Sequence, residues 1–255
     1  MFGVNMRNFL NNELILKITS DILNYEKKSE ALCNDVYLLN AKNGNFILKV
    51  AKRTIRQEEL EKEVNIINFL KDKFNMPKIL LFSNDIDCSF VLMEYIDGVK
   101  IKDFTDNILK EMARILKLIH NSVEVNEFVD FDGLLNIAKN NLINNRLDIS
   151  EFIKHKNDCS PESVLNYLQD NKPKNVDKKR LHGDFRPKNM LIKGEDLYIF
   201  DYGLSFYGDI YYDLAIFKYY LSEEQFDKFV KYYGLTQLDE ERLKYNELLS
   251  LFLNV

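Results

Sequence analysis

The stretch LHGDFRPKNM, Leu181–Met190, sets His182, Asp184, Arg186, Lys188 and Asn189 within eight residues, and LYIFDYG, Leu197–Gly203, soon adds Asp201 at the end of an apolar run. Two carboxylates and a carboxamide are hard oxygen donors, suited to Mg²⁺ and poorly suited to soft metals. Mg²⁺ is normally held by one or two carboxylates together with substrate phosphates. Asn189 and Asp201 can serve as those ligands, which leaves Asp184 to act as base or orienter. By themselves, Asp184 and Asn189 serve equally well to cap turns beside Pro187.

The order of the residues narrows the choice. HGDFRPKN, followed by FDYG with Asp201 seventeen residues after Asp184, resembles the catalytic and metal-binding loops of kinase-fold phosphotransferases. Protein kinases carry H-R-D-x-x-x-x-N and D-F-G in those places. Gly183 between His182 and Asp184 is similar to the small-molecule branch, the aminoglycoside phosphotransferase and choline kinase family, and so is GDIYYDLA, Gly208–Ala215. The resemblance runs from about Asn34 to Phe217. It implies an α+β, bilobal protein-kinase-like fold, with a strand-rich N-lobe holding one main helix and a helical C-lobe. It also implies that Asp184 is the base facing the acceptor hydroxyl, and that Asn189 and Asp201 bind Mg²⁺. Arg186 falls near the transferred phosphoryl group, where its fork suits phosphate oxygens, and His182 braces the loop.

ATP then falls to the N-terminal half. FILKVA, Phe46–Ala51, alternates Phe46, Leu48 and Val50 on one face with Ile47, Lys49 and Ala51 on the other. A lone strand lysine usually just carries its tip into water. The resemblance makes Lys49 the phosphate-contacting lysine that pairs with a helix glutamate, Glu63, with Glu59 in reserve. In FVLMEYIDG, Phe90–Gly98, it implies that adenine bonds backbone groups of Glu94 and Ile96, with Met93 behind it. The loop SEALCND, Ser29–Asp35, departs from the protein-kinase pattern because it has no glycine. There Asn34 matches an asparagine of choline-kinase-like members, and Ser29 and backbone N–H groups are left to cover the phosphates.

Hydrophobic rhythm agrees with two lobes. DVYLLNA and FILKVA flank Asn43-Gly44, a hairpin signal. TIRQEELEKEVNIINFLKDKF is helical, with Leu60, Val64, Ile67 and Phe69/Leu70 on one side. KILLFS and FVLMEYI are strand-like. FTDNILKEMARILKLIHNSV is an amphipathic helix, and helical patterns dominate beyond it. The expected division is residues 1–96 for nucleotide binding and 97–255 for catalysis and acceptor binding, with a cleft between.

The totals exclude other classes. A chain of 255 residues with 46% hydrophobic and 29% charged residues is ordinary for a soluble protein. A net charge of −5 gives no support for nucleic acid or an anionic membrane. Three scattered cysteines and no cleavable signal pattern suggest reduced thiols in the cytoplasm, and three distant histidines give no zinc spacing. No feature bears on oligomeric state.

Only nine residues separate Gly203 from Asp213, with no A-P-E motif, so a peptide acceptor is disfavoured. Residues 1–120 carry 18 Lys+Arg against 17 Asp+Glu, and residues 121–255 carry 17 against 23. The acidic second half suits a cationic acceptor, and solvated helix faces would account for it as well. Candidates near an acceptor are Asp130, Asp132, Asp148, Glu151, Glu223, Glu224 and Asp227. The expected activity is ATP-dependent phosphorylation of a small-molecule hydroxyl. An aminoglycoside-like antibiotic leads, ahead of choline or another metabolite alcohol. The rival is a nucleotide-binding pseudokinase, which would be expected to lack one of Lys49, Asp184, Asn189 and Asp201.

Overall fold

The computed structural model describes residues 6–30, 34–51, 54–84, 89–122, 130–148, 160–174, 176 and 178–253. The chain divides into two compact units, Met1–Lys100 with Met190–Gly203, and Ile101–Asn189 with Leu204–Val255.

The first unit is built on an antiparallel sheet of β1 (Ile22–Glu30), β2 (Asn34–Ala41), β3 (Gly44–Ala51), β4 (Ile79–Asn84) and β5 (Ser89–Glu94), in the order β1-β2-β3-β5-β4. Period-2 alternation decides its faces. Phe46, Leu48 and Val50 join Leu39, Phe90 and Leu92 in a buried cluster, completed by Met6 and Phe9 of helix α1 (Met6–Leu10) and Ile15 of α2 (Glu13–Thr19). Full burial of such side chains contributes about 1.5–3 kcal/mol each. Helix α3 (Thr54–Leu70) packs on β3, β4 and β5 and buries Leu60, Val64, Ile67 and Leu70, the stripe that periodicity predicts.

Two local features differ from expectation. The hairpin loop is Lys42-Asn43, because Gly44 already pairs with Ala41 at a φ of 137°. Asn43 is held in the loop by donating its side-chain amide to the Ile18 carbonyl at 2.7 Å. Strand β1 has no alternating sequence, ILNYEKKSE, and its pairing with β2 is interrupted by two register shifts, between Ile22 and Asn24 and between Lys27 and Ser29.

In the second unit, α4 (Asp106–His120) is N-capped by Thr105, α5 (Phe131–Ile143) by Asp130 and α6 (Pro161–Asp170) by Ser160. After α7 (Tyr211–Lys218) comes α8 (Glu223–Tyr233), which begins with a Ser222/Gln225 capping box and ends at Gly234 in the left-handed region. The last helix is α9 (Glu240–Leu253). Leu134, Leu165, Leu168, Ile216, Leu249 and Phe252 form the helical core. A short ladder of β6 (Lys179–Leu181) with β9 (Phe206–Gly208) brackets the segment carrying Asp184. The hairpin β7 (Met190–Lys193) and β8 (Asp196–Ile199) belongs to the first unit, where Val99 bridges Ile192. Among the described residues no helix is long and apolar enough to cross a membrane.

Candidate active site

In the first unit the fold gathers Lys49, Glu63 and Asp201. Lys49 Nζ donates to Glu63 Oε2 at 2.6 Å and to Asp201 Oδ1 at 2.8 Å. Strand alternation puts Lys49 on the face opposite Leu48 and Val50, where α3 presents Glu63. Both partners of this pair are buried. Burial works against the Lys49 ammonium, yet Glu63 and Asp201 outweigh it and hold its pKa above the ordinary value. Burial pushes the Glu63 carboxyl up, and Lys49 pulls it back. Glu59, the reserve candidate, is not the residue that meets Lys49 here. Asp201 follows β8 with a φ of 70°, a left-handed conformation that non-glycine residues adopt at a cost of about 1–3 kcal/mol. Its side chain is 44% exposed.

Asn34 opens β2 opposite Ala51, buried, and its amide oxygen has no hydrogen-bond partner among the described residues. Glu94 ends β5 opposite Phe46 and gives its N–H to the Lys78 carbonyl at 2.9 Å. Ile96 is buried, with its carbonyl accepting from Gly98 N–H at 2.9 Å. Residues 31–33 of the glycine-free loop, the Ser29 side chain and Glu151 lie outside the described residues.

In the second unit the loop after β6 collects charge around Asp184, which is nearly buried. Arg186 Nε stands 2.6 Å from Oδ1, and Lys188 Nζ stands 2.9 Å from Oδ2. Asn189 Nδ2 donates to Oδ2 and to the Asp184 carbonyl, both at 2.9 Å. That commitment of the amide nitrogen turns the Asn189 oxygen, the end a metal would use, away from Asp184. His182 is fully buried, and its Nδ1 accepts from Asp184 N–H at 3.3 Å.

A buried network behind this loop holds its backbone. Asp213 on α7 accepts from His182 N–H at 2.7 Å and Gly183 N–H at 2.9 Å, and His120 Nε2 lies 3.0 Å from the same carboxylate. On its other side the ring's Nδ1 lies 2.7 Å from the Tyr233 hydroxyl. Burial, and then the Asp213 charge, push the Tyr233 hydroxyl above its ordinary pKa, so it stays a donor. Phe185 packs edge-on to Phe217, and Phe217 to Phe229, which fixes the loop from its apolar side. Asp213 lies inside GDIYYDLA, yet neither its role nor those of His120 and Tyr233 follow from spacing, because the partners are 31 and 93 residues from Asp213.

Gly183 has a second, steric reason to be glycine. Its φ is 81°, and a Cβ there would stand 2.0 Å from the Leu204 carbonyl oxygen. The obstacle is backbone, so it cannot swing aside. Gly183→Ala is expected to lower stability by at least about 1–3 kcal/mol and to depress turnover, read from denaturation midpoints and kcat. A variant as stable and active as wild type would show that the loop relaxes freely.

The donor chemistry fits Mg²⁺. The first unit offers a carboxylate, Asp201, and the second a carboxamide oxygen, Asn189, each a hard donor of the kind Mg²⁺ takes. Among the described residues no cluster of three or more His, Cys, Asp or Glu offers a different metal centre. The acidic candidates are partly neutralised at home. Asp130 accepts from Gly133 N–H as the cap of α5, Asp132 pairs with Lys172 at 2.6 Å, and Glu224 with Lys228 at 3.0 Å. Glu223 and Asp227 are exposed.

Comparison with known proteins supplies the remaining observations. The model of the phosphotransferase enzyme family matches residues 29–248. An aminoglycoside 3'-phosphotransferase of Niallia circulans is 28% identical over 215 residues, covering 78% of this chain and 80% of the relative. A 2''-type aminoglycoside phosphotransferase solved as its ternary complex with streptomycin and ATP superposes with a TM-score of 0.68 at 20% identity, over 96% of this chain and 87% of that one. The choline kinase LicA of Streptococcus pneumoniae gives 0.71 at 20% identity, over 92% and 85%. These likenesses show the kinase-like α+β fold that the motifs imply.

Proposed function

Because the chain belongs to the phosphotransferase enzyme family, we propose that it moves the γ-phosphoryl group of ATP to a hydroxyl of a small cationic molecule, with an aminoglycoside-like antibiotic as the leading acceptor. The observation that carries this reading is the paired arrangement of Lys49 on Glu63 and Asp201, together with Asp184 presented by a loop whose backbone is tied to Asp213.

In this reading Lys49, held by Glu63, contacts the phosphates of ATP. Adenine bonds backbone groups of Glu94 and Ile96, at the end of β5 and just beyond it. The amide oxygen of Asn34, unpartnered among the described residues, serves the nucleotide side as an acceptor. Asn189 and Asp201 are the residues that would hold Mg²⁺, which would neutralise phosphate charge. Asp184 orients the acceptor hydroxyl and takes its proton as the oxygen–phosphorus bond forms and ADP leaves. Arg186 offers its planar fork to the oxygens of the moving group. Such transfer is mostly positioning and electrostatics, which suits a loop fixed by buried hydrogen bonds. We place the enzyme in the cytoplasm, where ATP is at hand.

The cationic acceptor rests on the excess of acid in residues 121–255, 23 Asp+Glu against 17 Lys+Arg, and on the aminoglycosides named for the relatives. Attraction to those carboxylates is screened over about 8–10 Å at ordinary salt. Acceptor-dependent ADP release, measured across cationic, neutral and anionic alcohols at two ionic strengths, tests it. Kanamycin-like or choline-like amines should be preferred, with acceptor KM rising with salt while ATP KM changes less. Preference for a neutral or anionic alcohol would reduce the acid excess to solvated surface.

A further inference from the structure

Both oxygens of Asp184 are covered by other side chains. Oδ1 is sealed from solvent with Arg186 Nε 2.6 Å away, and Oδ2 takes Asn189 Nδ2 and Lys188 Nζ, each at 2.9 Å. Asn189 donates the hydrogen bond to Oδ2, Lys188 stands beside it as an ion-pair partner, and the Asp184 side chain is only 6% exposed. With Oδ1 sealed from solvent and the side chain nearly buried, a hydroxyl cannot reach Asp184 until one of these groups moves. Asn189 is buried and also tied to the Asp184 carbonyl. The Arg186 side chain is 23% exposed, and that of Lys188 is 58% exposed on a flexible four-carbon stem. Lys188 is the group that can go.

We propose that Lys188 is a specificity-determining cap on Asp184, closing it to water and opening when an amino-alcohol acceptor brings its own ammonium to the place Lys188 vacates. This rests on the reading of the chain as an ATP phosphotransferase. Charge is the reason for the selectivity. When Lys188 swings away, Asp184 loses a counter-charge from Oδ2. Water and neutral alcohols do not replace it, whereas an acceptor with an amine near its hydroxyl does. The cost of opening is small because the ammonium is mostly solvated already, so the cap slows hydrolysis without blocking transfer.

Acceptor-free ATP hydrolysis by the full chain, with Mg²⁺ present, reads the cap directly. Lys188→Met should raise the rate of ADP formation about two- to fivefold, the range that loss of a mostly exposed ion pair allows. Adding Asp184→Asn to Lys188→Met should remove the gain. Unchanged or slower hydrolysis in Lys188→Met overturns the cap, as does hydrolysis undetectable in both proteins while Mg·ATP still raises Tm. A protein whose Tm ignores Mg·ATP fails the phosphotransferase reading instead. Reductive methylation of Lys188, followed by mass spectrometry, then decides the contact independently of nucleotide. Methylation should be slower in the wild type than in Asp184→Asn, relative to the other surface lysines, and equal rates overturn the proposal.

Discussion

Asp184→Asn is expected to lower kcat by roughly 10²–10⁴, the range for losing a positioned base, while Mg·ATP binding should stay near that of the wild type. The substitution keeps the shape of the side chain and an acceptor oxygen for Asn189 Nδ2, so the loop retains its tie. The negative charge and the ability to take a proton are lost, and Arg186 and Lys188 lose their counter-ion. The group assigned to nucleotide, Lys49 with Glu63 and Asp201, keeps its own two ion pairs. Steady-state kinetics and the Mg·ATP-dependent shift in Tm separate the two effects. Near-normal turnover would remove Asp184 from the mechanism.

Asp213→Ala is the most damaging change expected outside the groups that meet substrate. The carboxylate is fully buried and takes two backbone N–H groups and the His120 ring. Removing it leaves donors from His182 and Gly183 without acceptors, at about 1–3 kcal/mol for each buried orphan. Losing one partner of such a buried cluster typically costs about 3–5 kcal/mol in all. For a chain of this size that corresponds to a fall in Tm on the order of 10 °C. Thermal and urea denaturation measure it, and a loss under about 1 kcal/mol would show that water or a shifted loop satisfies those N–H groups. Asp213→Asn should be milder, since its amide oxygen still accepts.

Both variants probe a site whose parts were unequally legible. The motif order pointed to Asp184, Asn189 and Asp201, and strand alternation put Lys49 opposite Leu48 and Val50. Alternation alone could not say that Lys49 is buried, because that depends on Glu63 arriving from α3 and Asp201 from 152 residues away. The helix stripe of Leu60, Val64 and Ile67 was readable because 3.6-residue periodicity is local. The anchoring of the loop on Asp213, His120 and Tyr233 was not, because it joins three helices through polar contacts that leave no periodic trace. In the same way the hairpin turn slipped by one residue, since Gly44 spends its positive φ at the start of β3 and Asn43 is pinned by Ile18. Strand β1 leaves no sequence signal because its residues alternate neither in polarity nor in size and take their register from β2.

That same strand has a consequence for how the chain behaves when crowded with copies of itself. A sheet ordered β1-β2-β3-β5-β4 leaves β1 at one end with a row of backbone groups facing outward. Such a row is a template for another strand, and long flat ones invite aggregation. Here the row is broken twice by the shifts at Ile22/Asn24 and Lys27/Ser29, and the run Glu26-Lys27-Lys28 crosses its middle. A second chain laid along it would lose register within a few residues and would set like charges beside one another if it were an identical strand in parallel. The irregular, polar sequence that makes β1 hard to recognise is therefore what keeps this end of the sheet from recruiting its neighbours.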